Sequence, residues 1–155
     1  MFVQNGEDSF FLDKLRPHHK ALEYGCGSST GEIAERVYSL LSIEHQEHWF
    51  NNINKNLKSN SRLTLAKPNL PYREGGHCGT YEEFETYINA PIDYGPFDVI
   101  LIDGRARVEC AKICHKMATP DTLIFVHDFE RAEYQVIRQI LTFIDSFKTM
   151  VLFKL

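Results

Sequence analysis

Apolar runs of strand length alternate with apolar residues at helical spacing along most of the chain. That alternation predicts an α/β fold built on a mainly parallel sheet. EDSFFLDKLR (7–16) carries a short amphipathic helical pattern stopped by Pro17, and KALEYG (20–25) reads as a first strand. A helix is expected from Ser29, with Glu32 as its capping-box partner and Ile33, Ala34 and Val37 turned inward. YSLLSIE (38–44) is a second strand. In HQEHWFNNINKNL (45–57), Trp49, Ile53 and Leu57 recur every fourth position, as on a helix facing a core. RLTLA (62–66) is a short third strand.

The rhythm breaks over 67–96, where Pro68, Pro71, Gly75, Gly76, Gly79, Pro91, Gly95 and Pro96 surround one helical stretch, TYEEFETYI. So long a connection inside a compact domain is often functional. FDVILID (97–103) is nearly all apolar, as suits a strand covered on both faces. RVECAKICHKM follows as a helix, DTLIFVHD (121–128) as a strand and ERAEYQVIRQIL as a helix. TFIDSFKTMVLFKL splits at 146–149 into two short antiparallel strands. The whole chain, 1–155, is expected to form a single domain with an inserted segment at about 67–96.

Composition narrows the function. The 155 residues are 43% hydrophobic and 25% charged, with a net charge of −4. That is ordinary for a globular domain and argues against a large nucleic-acid surface. No apolar stretch approaches the ~20 residues of a membrane span. The start, MFVQNGEDSFF, has neither the basic opening nor the apolar run of a signal peptide, so a cytoplasmic location is expected. None of the four cysteines forms a CxxC pair; Cys110 and Cys114 are expected to be buried neighbours. His45 and His48 read as surface residues.

The chemistry concentrates in LEYGCGSSTGEIAE (22–35). Small residues at a strand-to-helix turn let a ligand approach the backbone. The spacing is Gly25, Gly27, Gly31, with Thr30 where a nicotinamide-binding turn has its third glycine. Glu23 precedes the turn, and Glu44 ends the second strand 19 residues after Gly25. A carboxylate there can accept hydrogen bonds from ribose hydroxyls. The plain alternatives are tight strand–helix packing for the glycines and a helix N-terminal acid for Glu44.

With these residues, LEYGCGSST resembles the first motif of class I S-adenosylmethionine (SAM)-dependent methyltransferases. SIEH resembles the acidic end of their second strand, FDVILIDGRARVECA their fourth and LIFVHDF their fifth. The resemblance implies a Rossmann-like three-layer sandwich. It has a mostly parallel seven-stranded sheet, helices on both faces and a reversed last strand. It implies SAM contacts at Glu23, Tyr24, Gly25, Cys26, Gly27 and Ser28, ribose at Glu44, and adenine beside His45. Asp103 would serve both cofactor and catalysis.

Ligands in open α/β sheets sit beyond the carboxyl ends of the strands, so Asp103, His127 and Asp128 should share the rim of the glycine turn. An aspartate or histidine there can take a proton from an acceptor hydroxyl. Metal-dependent catechol-type enzymes place an aspartate and an Asp-Asn pair at these positions. Here His127-Asp128 stands instead, which disfavours a divalent cation without deciding the matter. Of Arg105 and Arg107, one could point into the cleft; for Arg107 a surface salt bridge, for example with Glu109, is expected. HDFERAEY resembles a stretch of polysaccharide-modifying methyltransferases. The expected reaction is therefore O-methylation of a small polar or sugar-like acceptor. Tyr72, Tyr81, Phe84 and Tyr87 either stack on that acceptor or form a small core, and Gly79, Thr80 and Tyr81 are candidate cofactor contacts. A nicotinamide-dependent oxidoreductase and a non-catalytic cofactor-binding module are the alternatives, and a homo-oligomer is possible.

Overall fold

The computed structural model describes residues 6–72 and 78–155; Gly75 and Gly76 of the inserted segment lie outside them. The described residues form five α-helices and seven strands, in the order α1 (Glu7–Leu12), β1 (Lys20–Tyr24), α2 (Thr30–Ala34), β2 (Ser39–Glu44), α3 (Glu47–Asn54), β3 (Ser61–Leu65), α4 (Tyr81–Asn89), β4 (Phe97–Ile102), α5 (Arg107–Ile113), β5 (Ala118–Val126), β6 (Thr142–Phe147) and β7 (Met150–Lys154). They form one sheet in the order β3-β2-β1-β4-β5-β7-β6. The pairs β1–β2, β1–β4, β2–β3 and β4–β5 are parallel, and β7 runs antiparallel to both β5 and β6. The strand order reverses between β1 and β4, which opens the crevice where such sheets bind ligands.

Alternation along the strands sends side chains into two cores. On one face Ala21, Leu40, Val99, Leu101 and Phe125 pack under Phe11, Leu12, Ile33 and Val37. On the other, Leu22, Ile43, Ile100, Ile102 and Val126 pack under Phe84, Tyr87, Cys110, Cys114, Tyr134 and Ile137. Cys110 and Cys114 are thus buried neighbours, and Phe84 and Tyr87 are core residues. Tyr72 packs at the core's edge, while Tyr81 is exposed.

Several elements differ from the periodicity. The first helix ends at Leu12, short of Pro17. The fifth helix of the pattern closes as a 3₁₀ turn at Cys114–Lys116, and ERAEYQVIRQIL folds as a 3₁₀-helix over Ala132–Gln139. β5 begins three residues early, at Ala118, because it pairs with Phe97. Ser29 makes no side-chain cap; its hydroxyl is drawn instead to the buried Glu23. The capping box lies at Thr80 and Glu83, at the start of α4. Among the described residues no helix is long and apolar enough to cross a membrane.

Candidate active site

The β1–α2 turn is shaped from beneath by Glu23. Its side chain is fully buried and accepts hydrogen bonds from Ser42 Oγ at 2.7 Å, Thr30 Oγ1 at 2.9 Å and Ser29 Oγ at 3.3 Å. Burial raises its pKa to about 7, against the pull of these hydroxyls. Glu23 therefore pins the turn from below and does not line the cavity above it. Tyr24 is likewise buried, donating its hydroxyl to the Ile88 carbonyl at 2.7 Å.

The two motif glycines have different tasks. Gly25 has φ +89°, and a Cβ there would stand 2.6 Å from Gly104 Cα. A Cβ on Gly104 would meet the Tyr87 hydroxyl at 2.0 Å. What comes near Gly25 is thus another backbone, the β4–α5 turn. Gly27 is the reverse: a Cβ there would meet nothing within 4 Å. It borders a cavity of about 580 Å³, within the ~300–1,000 Å³ usual for cofactor sites.

Gly25, Cys26, Gly27, Ser28 and Ser29 form one wall of this cavity, Glu44, His45, Gln46 and Trp49 a second, and Asp103, Gly104 and Arg105 a third. Glu44 binds the turn to its own strand. Oε2 accepts from Cys26 N at 3.0 Å; Oε1 accepts from His45 N at 2.9 Å and Gln46 N at 2.8 Å, with His45 Nδ1 at 3.0 Å. Burial alone would raise its pKa, but the donors of His45, Gln46 and Cys26 prevail and hold it low. Backbone donors fill three of about four acceptor positions, two on Oε1 and one on Oε2, and the Cys26 thiol also hydrogen-bonds to the carboxylate. Cys26 lies beside it, its thiol pushed up by burial and the Glu44 charge, so it stays protonated.

His45 is not a surface residue: its ring meets those of Tyr72, Phe84 and Tyr87 edge-on. His48 is exposed, as expected. Trp49 was expected in a core, yet α3 buries no residue and Trp49 is 39% exposed on the cavity wall. His45, Gln46 and Trp49 also border an adjoining recess of about 560 Å³ with Pro68 and Tyr72. Gly79, Thr80 and Tyr81 do not line the cavity; Cys78 does.

At the ends of β4 and β5 the structure brings Asp103, His127 and Asp128 together, but only Asp103 lines the cavity. His127 Nδ1 lies 2.9 Å from Asp103 Oδ1. Burial depresses the imidazole, but the Asp103 hydrogen bond and the charges of Asp103 and Asp128 outweigh it and raise its pKa. Arg107 is buried, contrary to the surface reading. Its guanidinium donates to the carbonyls of His127, Gly104 and Asp103 and stands 3.4 Å from Asp103 Oδ1 and 3.1 Å from Asp128 Oδ2. Helix α5 starts at Arg107 itself, which swings this side chain back under the β4 end.

The three residues offer ligand atoms within 4.8 Å of one another, the spacing of a metal site. They do not fit a divalent cation as folded, because the Arg107 guanidinium already places a positive charge between the carboxylates. Imidazole is also a poor ligand for Mg²⁺. Both contacts of the Asp103 carboxylate fall on Oδ1, so among the described residues Oδ2 has no protein partner.

Neither a family model nor a curated protein matches the sequence. Solved structures do match the fold. A methyltransferase-like protein from Silicibacter pomeroyi superposes with a TM-score of 0.79 at 20% identity, over 100% of this chain and 87% of that one. The chain has the fold of the class I methyltransferases. An rRNA methylase from Streptococcus thermophilus gives 0.64 at 11% identity, over 99% of this chain and 98% of that one. The methyltransferase MycE, solved with Mg and S-adenosylhomocysteine (SAH), gives 0.60 at 12%, over 96% of this chain and 48% of MycE. The methyltransferase fold accounts for a crevice at this rim; the residues in it are this chain's own.

Glu7, Arg107 and Thr149 escaped the sequence reading as members of the site. Glu7 comes from α1 and reaches the underside of His127 from 120 positions away. No local pattern signals such a contact. For Trp49 a signal existed: it is the single tryptophan, five residues past Glu44.

Proposed function

We propose that this chain is a SAM-dependent methyltransferase that carries a methyl group to a hydroxyl oxygen of a small polar or sugar-like acceptor. The observation that carries the reading is an ionised, buried Glu44 facing the Gly27 opening, with Asp103 on the third wall of the same cavity. SAM, when bound, supplies a methyl group on a positively charged sulfur that leaves as a thioether.

In this reading Glu44 accepts one ribose hydroxyl on Oε2, the oxygen with a single backbone donor. His45 and Trp49 give flat surfaces for the adenine, toward the recess of Pro68 and Tyr72. The methionine portion lies along Gly27, Ser28 and Ser29. Methyl transfer is an in-line displacement, so the chain's remaining tasks are alignment and removal of the acceptor's proton. Asp103 Oδ2 receives that proton, its other oxygen being held by His127 and Arg107. His127 and Asp128 act behind Asp103, outside the cavity. Arg105 borders the acceptor side, its guanidinium over the Tyr72 ring at 5.6 Å with no carboxylate partner among the described residues. A planar fork so placed suits an oxygen-rich acceptor.

Thermal melting tests the cofactor: SAH at a hundredfold excess over its Kd should stabilise the fold by about 2.7 kcal/mol, and NADH should not. No shift with SAH, or a shift with NADH instead, overturns the reading. Transfer of an isotope-labelled methyl group across a panel of sugars and small alcohols tests the acceptor class. Label found only on nitrogen or carbon would refute the oxygen assignment.

A further inference from the structure

We propose that Glu7 is a positioning residue for the Asp103–His127 pair, gripping the imidazole from the side opposite Asp103. His127 thereby becomes the centre of a carboxylate–imidazole–carboxylate line that runs from α1 to the cavity wall.

The geometry carries this. His127 Nδ1 meets Asp103 Oδ1 at 2.9 Å, and its Nε2 lies 3.8 Å from Glu7 Oε2, an ion-pair distance. Glu7 is itself held: Oε1 accepts from Thr149 N at 2.7 Å and from Thr149 Oγ1 at 2.6 Å. Glu7 and His127 are 4% and 5% exposed. Ion pairs on an open surface contribute little, but these charges are shielded from water and act at a lower effective dielectric. A buried carboxylate with no counter-charge would be costly; the positive charges that act on Glu7 are the imidazole, which Oε2 faces, and Lys148.

The charged groups around the imidazole come from four sides. They are Glu7 and Asp8 of α1, Asp103 after β4, Arg107 of α5, and Asp128 beside His127 itself. Three of the carboxylates approach within 4 Å, which favours the imidazolium. A protonated ring, hydrogen-bonded to Asp103 at Nδ1 and ion-paired with Glu7 at Nε2, does not take a proton from an acceptor. It holds Asp103 Oδ1 and leaves Oδ2 turned to the cavity. Glu7 thus acts through His127 on Asp103. Its catalytic meaning rests on the function proposed above, but the link itself does not.

The test reads the link without cofactor or acceptor. NMR of ¹⁵N-labelled protein follows the His127 ring, assigned by its loss in His127→Gln. In the wild type both ring nitrogens should be protonated at pH 7. In Glu7→Gln the His127 pKa should fall by about one unit, while calorimetry gives an SAH affinity within twofold of wild type. A neutral His127 ring in the wild type at pH 7 would overturn the proposal, even if Glu7→Gln failed to fold. So would an unchanged His127 pKa in a folded Glu7→Gln. Failure of SAH to bind the wild type would instead remove the cofactor reading and leave the Glu7–His127 result standing.

Discussion

Glu44 and Asp103 are acids of different kinds within one cavity. Glu44 is consumed largely by backbone donors, so its substitution has two effects: loss of a ligand contact and loosening of the turn. Glu44→Gln keeps one acceptor oxygen but sets its amide nitrogen against backbone N–H donors, so both effects act together on binding. SAH affinity should fall about tenfold or more, in line with a hydrogen bond to a charged group. An unchanged Kd by calorimetry would remove the ribose assignment. Asp103 has one oxygen held and one open. Asp103→Asn keeps the shape but loses the proton acceptor, so turnover should drop by about 10²–10⁴ with SAH affinity within twofold. Equal loss of both in paired binding and rate measurements would make Asp103 a cofactor ligand.

The glycines invite the same kind of comparison. Gly25→Ala would put a Cβ 2.6 Å from Gly104 Cα at φ +89°. Left-handed strain and overpacking together should cost about 3 kcal/mol. Gly27→Ala meets open space and should leave stability unchanged within ~0.5 kcal/mol, yet weaken SAH binding by filling the cradle. Urea unfolding and SAH titration of the two variants would check this; equal destabilisation would show that both glycines serve packing.

Among the elements, α3 shows how a helical pattern can be read correctly and its face wrongly. The four-residue spacing predicts a helix, and one forms. Its apolar side faces a cavity rim, because β2 ends at Glu44 and the chain turns along the crevice. The lone Trp49 should therefore report binding: SAH should change its fluorescence intensity or maximum, and Trp49→Phe should abolish the signal. No change in the wild type at saturating SAH would mean that the cofactor does not pass this wall. The short 3₁₀ region at Ala132–Gln139 tells a similar story. Tyr134 and Ile137 are buried as a helical pattern requires, and the more tightly wound stretch packs against α5.

For the whole molecule, buried ionisable groups tie stability to pH from both sides. The His127 pKa is raised, so its contribution is complete below about 6.5 and is lost as pH climbs through the folded value. Glu23, raised by burial to about 7, acts in the same direction: its folded form prefers the proton, and stability falls between pH 4.5 and about 7. Burial opposes ionisation at Glu7 and Glu44, but Thr149 at the first and His45 at the second hold their pKa values below 4.5. Their contribution is present above pH 4.5 and is lost as pH falls through those lowered values. The melting temperature should thus peak on the mildly acid side of neutrality and decline toward pH 8. Glu23→Gln should flatten the alkaline limb, because the amide stays neutral. A melting profile rising from pH 6 to pH 8 would contradict both assignments.

The sheet was legible in the sequence because covered strands need apolar runs and parallel strands need helical crossovers, and both leave local patterns. FDVILID, LEYGCGSST and the split tail each sit where those patterns predict. The motif acids Glu23, Glu44 and Asp103 were legible for the same reason: a charge at the end of an apolar strand is conspicuous. Their work was not. That Glu23 lies beneath the turn, that Gly25 makes room for Gly104, that Arg107 is buried between two carboxylates and that Glu7 reaches His127 are contacts between segments far apart in the chain. Local periodicity determines which segments become strands and helices. Which side chains then share a dielectric, a proton or a wall is decided only when the sheet brings their ends to one rim.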